Sequence, residues 1–200
     1  MIMTGEMIIE QFYSKKGYSN PRMKLSRDIK AGKFIRLKRN LYLTDPSAPK
    51  DALAQAIYGP SYISFDYALS YYGMIPEYAR NITSATFGKH KDKRFDTDFC
   101  SFYYTDVPAK VFQEEVVRVE FRGYSYYIAT REKALCDRLY KKPPVTRMDE
   151  FEEMLLDDMR LDEDILFELN VDIIEHLSEL YSCRNIRMLS RYLKKMHKLS

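Results

Sequence analysis

Apolar residues recur at helical spacing from the start of the chain: Met7, Ile8 and Phe12 predict a helix over Gly5–Ser14 that Lys15-Lys16-Gly17 ends. Asn20 before Pro21 is a start signal, a capping side chain followed by proline at the first helical position. The helix it opens runs from Pro21 to Ala31 and stops at Gly32. Phe34, Ile35 and Leu37, then Leu41, Tyr42 and Leu43, flank the polar centre Lys38-Arg39-Asn40, which predicts a β-hairpin with asparagine in a tight turn. Beyond Asp45-Pro-Ser-Ala-Pro49, the best linker candidate, Ala52, Leu53, Ala56 and Ile57 mark a helix ended by Gly59-Pro60. Ser64 is the expected cap of a further helix with Phe65, Ala68, Leu69 and Tyr72 inward and Gly73 closing it.

Asn81–Phe87 and Phe99–Tyr104 have strand composition, with Gly88–Arg94 between them as a basic turn. Val117, Val119 and Phe121 alternate with charges, Gly123 turns the chain, and Tyr124, Tyr126 and Ile128 run back. Thr130 caps a helix carrying Ala134, Leu135, Leu139 and Tyr140, which Pro143-Pro144 ends. The rest is helical: Leu166, Leu169, Ile173, Ile174, Leu177, Leu180 and Tyr181 keep one apolar face, and Ile186, Leu189, Leu193 and Met196 another. The expected fold is α+β. A winged helix-turn-helix-like unit occupies residues 1–45, a mixed α/β unit with an antiparallel sheet 46–145, and helices packed on that unit 146–200.

At 200 residues and 46% apolar composition the chain is long enough for a sizeable core without a staple. No apolar run reaches membrane-helix length, and the N-terminus lacks the basic, apolar layout of a signal peptide. Cys100, Cys136 and Cys183 are odd in number and widely separated, which suits reduced thiols in a cytoplasmic protein. A net charge of +3 conceals strong segregation. Ser14–Thr44 holds ten bases and one acid, Thr146–Ser182 thirteen acids and two bases, and Arg184–Lys198 six bases and no acid.

A basic helix, a glycine and a basic hairpin make the layout of a helical groove reader followed by a wing. On that reading Arg22, Lys24, Arg27 and Lys30 approach the major groove of double-stranded DNA, and Arg36, Lys38 and Arg39 contact phosphates. A basic hairpin also serves as an ordinary solvated edge. Catalytic constellations are missing: there is no GxxxxGK[ST], GxGxxG, HExxH or GxSxG. His90, His176 and His197 are scattered and read as exposed, and no cofactor or metal is expected. Glu132, Lys133 and Asp137 have the residue types of a metal-dependent nuclease, but neighbours on one helix point in different directions. Seventeen tyrosines read as packing residues of half-buried strands in preference to stacking platforms for RNA.

Three stretches together resemble the AbiEi antitoxins of type IV toxin–antitoxin systems. They are Ala31-Gly-Lys-Phe-Ile-Arg-Leu-Lys-Arg-Asn-Leu-Tyr-Leu43, Tyr62-Ile-Ser-Phe-Asp-Tyr-Ala-Leu-Ser-Tyr-Tyr-Gly-Met-Ile-Pro76 and Ile128-Ala-Thr-Arg-Glu-Lys-Ala-Leu-Cys-Asp137. Family members often place glycine where Asn40 stands, and a histidine where Tyr72 stands. Only one short helix precedes Pro21, where a complete winged helix has two. The resemblance implies a non-enzymatic operator-binding autorepressor in which the third stretch is scaffold. Its implied partner is a nucleotidyltransferase toxin encoded beside it, and a homodimer could read an inverted repeat. A different expectation is that the acidic helices neutralise a basic toxin by direct contact, with little DNA binding.

Overall fold

The computed structural model describes residues 1–16, 18–98 and 100–198. The expected helix stop at Gly17 and strand start at Phe99 lie outside them. The chain opens with a short strand absent from the sequence reading, β1 (Ile2–Thr4), followed by α1 (Gly5–Lys16) and α2 (Pro21–Lys30). Three residues are too few to show a period. Helix α2 starts as the sequence dictates: the Asn20 side chain accepts the Met23 amide at 3.1 Å, and Gly32 follows with φ +72°. The hairpin is β2 (Ile35–Lys38) and β3 (Leu41–Leu43), and β3 lies between β1 and β2 in an antiparallel sheet of order β1-β3-β2.

Helix α3 (Ala54–Ile57) leads into β4 (Tyr62–Ile63) and α4 (Phe65–Tyr71), then β5 (Ile82–Thr86), β6 (Lys93–Asp96) and β7 (Ser101–Asp106). A hairpin of β8 (Val116–Phe121) and β9 (Tyr124–Ala129) precedes α5 (Arg131–Tyr140). The C-terminal third holds α6 (Met148–Glu153), α7 (Glu163–Phe167), α8 (Val171–Tyr181) and α9 (Arg184–Met196).

The large sheet has order β6-β7-β5-β4-β9-β8, and it is mixed where an antiparallel one was expected. β5 runs parallel to β7, and β4 parallel to β9. The cause is β6. The segment read as a basic turn enters an edge strand at Lys93, and this added strand reverses the chain so that β7 returns in the direction of β5. Its composition is that of an edge: Arg94 and Asp96 face solvent, and Phe95 leans on Tyr58 and Tyr104.

Among the described residues, two clusters of buried side chains hold the molecule together. Met3, Ile8 and Leu25 form a small one, edged by Phe12, Ile29, Phe34 and Tyr42. Leu37 and Leu43 belong instead to the large core with Ile63, Leu69, Leu135, Leu177 and Leu189, so packing runs across the expected linker without a break. At roughly 1.5–3 kcal/mol for each buried leucine, that junction is a substantial attachment.

Asp45 in that linker accepts the Ser47 amide at 3.0 Å, the Ser47 hydroxyl at 2.6 Å and the Tyr124 hydroxyl at 2.5 Å. The Ser47 hydroxyl, then Tyr124, holds its carboxyl at about 2, below the ordinary 3.8. A folded-state value below the unfolded one means the unfolded chain binds the proton more readily, so the contribution is present above the ordinary value and fades as pH falls toward 2. Wild type is expected to be more stable than Asp45→Asn at pH 7, with the difference closing between about pH 4 and 2 in paired urea titrations. A pH-independent difference would show that Asp45 acts without its charge.

Candidate functional site

The seven basic residues expected at the DNA surface divide into two groups. Pro21, Leu25 and Asp28 face inward from α2, which leaves Arg22, Arg27 and Lys30 exposed on its outer side. Arg36 is exposed on β2, and Arg39 is exposed at the hairpin turn. Among the described residues none of these five makes an ion pair. The other two are engaged. Lys24 donates to both carboxylate oxygens of Asp28 at 2.5 Å, one turn along the helix, and Lys33 approaches Asp28 at 3.3 Å. The Lys24 hydrogen bond holds the Asp28 carboxyl below its usual range. Lys38 donates to the carbonyl of Ile57 and so ties β2 to the end of α3. Both residues were expected at the DNA surface on charge alone, and sequence offers no sign that a lysine has a neighbour nineteen residues away.

The hairpin turn is held from below. Asn40 has φ +60°, accepts the Gly5 amide at 3.1 Å and donates to Glu6 at 2.7 Å. That left-handed conformation accounts for the fit of glycine at this position. Gly5 is constrained in turn, since a Cβ there would lie 2.4 Å from the Asn40 side-chain oxygen. The Asn40 hydrogen bond also lowers the Glu6 carboxyl. Arg39 is therefore displayed on a turn fixed to the first turn of α1.

A second constellation was not foreseen as a unit. Lys133 and Asp137, one turn apart on α5, are both 0% exposed and pair at 3.2 Å. Lys133 also donates to the Tyr181 hydroxyl, which donates to Asp137. The other carboxylate oxygen accepts Tyr62 at 2.9 Å and Ser64 at 2.6 Å. Burial pushes the Lys133 ammonium down, while Asp137 pulls it back. Burial likewise raises the Tyr62 hydroxyl.

Ser64 therefore does not cap α4 with its side chain as expected, because a buried carboxylate takes its hydroxyl. The cap comes from Thr83, which accepts the Tyr67 amide at 3.1 Å and donates to the Ser64 carbonyl at 2.6 Å. Glu132 points elsewhere, accepting the Asn170 amide at 3.1 Å. The three nuclease-type residues thus do not converge. What converges is the second and third stretches quoted above, Tyr62 and Ser64 meeting Lys133 and Asp137. The available signal was the i,i+4 spacing of Lys133 and Asp137 with apolar Ala134, Leu135 and Cys136 between them.

All the carboxylates from Asp149 to Glu179 are exposed, as are His90, His176 and His197. Of the six tyrosines from Tyr58 to Tyr78, Tyr71 and Tyr78 alone are exposed. Among the described residues no group of three His, Cys, Asp or Glu is placed to hold a metal ion, and no helix is long and apolar enough to cross a membrane. No family model matches the chain, and comparison with curated proteins gives no significant match.

Proposed function

We propose that the chain is a DNA-binding autorepressor and antitoxin of the AbiEi kind, acting in the cytoplasm, with its N-terminal unit working as a winged helix. The observation that carries this reading is the set of five unpaired bases on α2 and the β2–β3 hairpin. Strand order β1-β3-β2 with two helices between β1 and β2 suits a winged helix that begins at its first strand. On this reading Arg22, Arg27 and Lys30 enter the major groove, and Arg36 and Arg39 hold flanking phosphates. A homodimer would place two such units on an inverted repeat about one helical turn apart.

Mobility shifts with duplex from upstream of its own coding sequence, against an unrelated duplex, test the proposal. The two phosphate contacts, from Arg36 and Arg39, give an affinity loss of about 12-fold between 50 and 200 mM salt. Arg36→Glu with Arg39→Glu is expected to weaken all sequences alike, whereas Arg27→Ala costs about 1–3 kcal/mol of discrimination at one position. Lys38→Ala should lower the melting temperature and leave the salt slope unchanged. Binding that ignores salt and sequence would remove the repressor reading.

The exposed carboxylates of α6 to α8 support a second reading, direct docking of a basic nucleotidyltransferase toxin. Capture of that toxin by a variant carrying Arg22→Ala, Arg27→Ala and Arg39→Ala would favour it. Deleting residues 1–45 is no substitute, because it strips Leu37 and Leu43 from the large core.

A further inference from the structure

Helix α9 carries Arg184, Arg187 and Arg191 at i, i+3 and i+7, which sets them along one side over about 10.5 Å of axis. Ile186, Leu189 and Leu193 bury the opposite side. The three arginines line a cleft of about 410 Å³ with Thr146, Met148 and Met188, and no carboxylate is among the lining residues.

The surroundings make their isolation informative. Arg131, Arg138, Arg147 and Arg160 each pair with a carboxylate, and so does Lys194 on α9 itself. Thirteen carboxylates lie in the preceding 37 residues, yet among the described residues none pairs with Arg184, Arg187 or Arg191. Arg187 donates only to the carbonyl of Ser182, at 3.1 Å. Fully buried Asn185 fixes the row against the facing loop: its amide donates to the carbonyls of Leu139, Lys142 and Pro143, and its oxygen accepts the Val145 amide at 2.9 Å. One wall of the cleft, Thr146 and Met148, leaves that same loop.

We propose that this arginine row grips successive phosphates of a nucleic-acid backbone, as a contact separate from α2 and the hairpin. A guanidinium fork matches phosphate oxygens two at a time, and a strand supplies successive anions to a row whose members stand about 4.5 and 6 Å apart along the helix axis. An acidic peptide fits less well, since carboxylates abundant in the same chain leave the row unpaired.

The test is fluorescence anisotropy of the full chain with a labelled 20-base-pair DNA duplex and a labelled 20-nucleotide single-stranded RNA, across a salt series. Arg184→Ala with Arg187→Ala and Arg191→Ala is expected to weaken binding at least about tenfold at 50 mM salt and to reduce the salt slope by about 2.7 on the duplex or about 2.1 on the single strand, three contacts' worth. Thermal melting should be unchanged, because all three side chains are exposed. Preference for the RNA or for the duplex then identifies the source of the phosphates. The parallel variant Arg22→Ala, Arg27→Ala, Arg39→Ala separates the two surfaces. If it alone loses binding, the α9 inference falls and the winged-helix reading stands; if the α9 variant alone loses binding, the reverse holds. Failure of the wild type to bind either probe, or displacement of both by poly-glutamate at equal charge concentration, also overturns the inference.

Discussion

Asp137→Ala is expected to cost about 3–5 kcal/mol of folding stability, the largest effect of any single substitution considered for this chain. The carboxylate is the common acceptor for Lys133, Tyr181, Tyr62 and Ser64, and none of these groups has water to turn to. Removing it leaves an ammonium fully enclosed and three hydroxyls without their acceptor. Tyr62→Phe is the control. It removes one donor of four, leaves the charge balanced, and should cost only about 1 kcal/mol. Urea titrations of the two variants beside wild type decide the matter. Equal, small losses for both would show that the pair is solvated and that its geometry contributes little.

Asn185→Ala is expected to cost about 2–4 kcal/mol, since it leaves buried backbone groups unsatisfied on two sides. The end of α5 and the loop to Val145 present three carbonyls, which share the two N–H groups of this side chain, and one amide, which its oxygen accepts. Melting should fall by about 4–16 °C, given 2–4 °C per kcal/mol for a chain of this size. Asn185→Asp restores the acceptor for Val145 but sets a carboxylate against the carbonyls of Leu139, Lys142 and Pro143, so it should fare no better. A rescue by aspartate would mean that the Val145 contact alone matters. If the arginine row binds phosphates, the alanine variant should also lose affinity beyond what its unfolded fraction explains.

Much of the architecture could be read from local signals. Asn20-Pro21, Gly32, Gly123, Thr130 and Pro143 each act within a few residues of themselves, and the elements they bound stand where expected. Errors arose where a distant partner decides. β6 is a strand because β7 offers an edge, and its own residues carry charges at three of four positions. Ser64 has the composition of a cap and serves a carboxylate seventy-three residues away. The basic surface was legible as charge and less so as geometry: composition ranks Lys24 and Lys38 with Arg22 and Arg39, and only the fold shows which have partners at home. The buried ion pair illustrates the same limit, because helical spacing placed Lys133 and Asp137 together without indicating that Tyr62 and Tyr181 close around them.

That closure has a consequence for synthesis. Strand β4 cannot gain its second neighbour until β9 has been made, and the Lys133–Asp137 pair cannot be fully covered until Tyr181 leaves the ribosome. Before then a nascent chain holds a wet, unsealed charge pair at what will be its centre, however complete its N-terminal helices and hairpin. A chain that stopped short of α8 would lack Tyr181 and leave the Lys133–Asp137 pair without one of its covers.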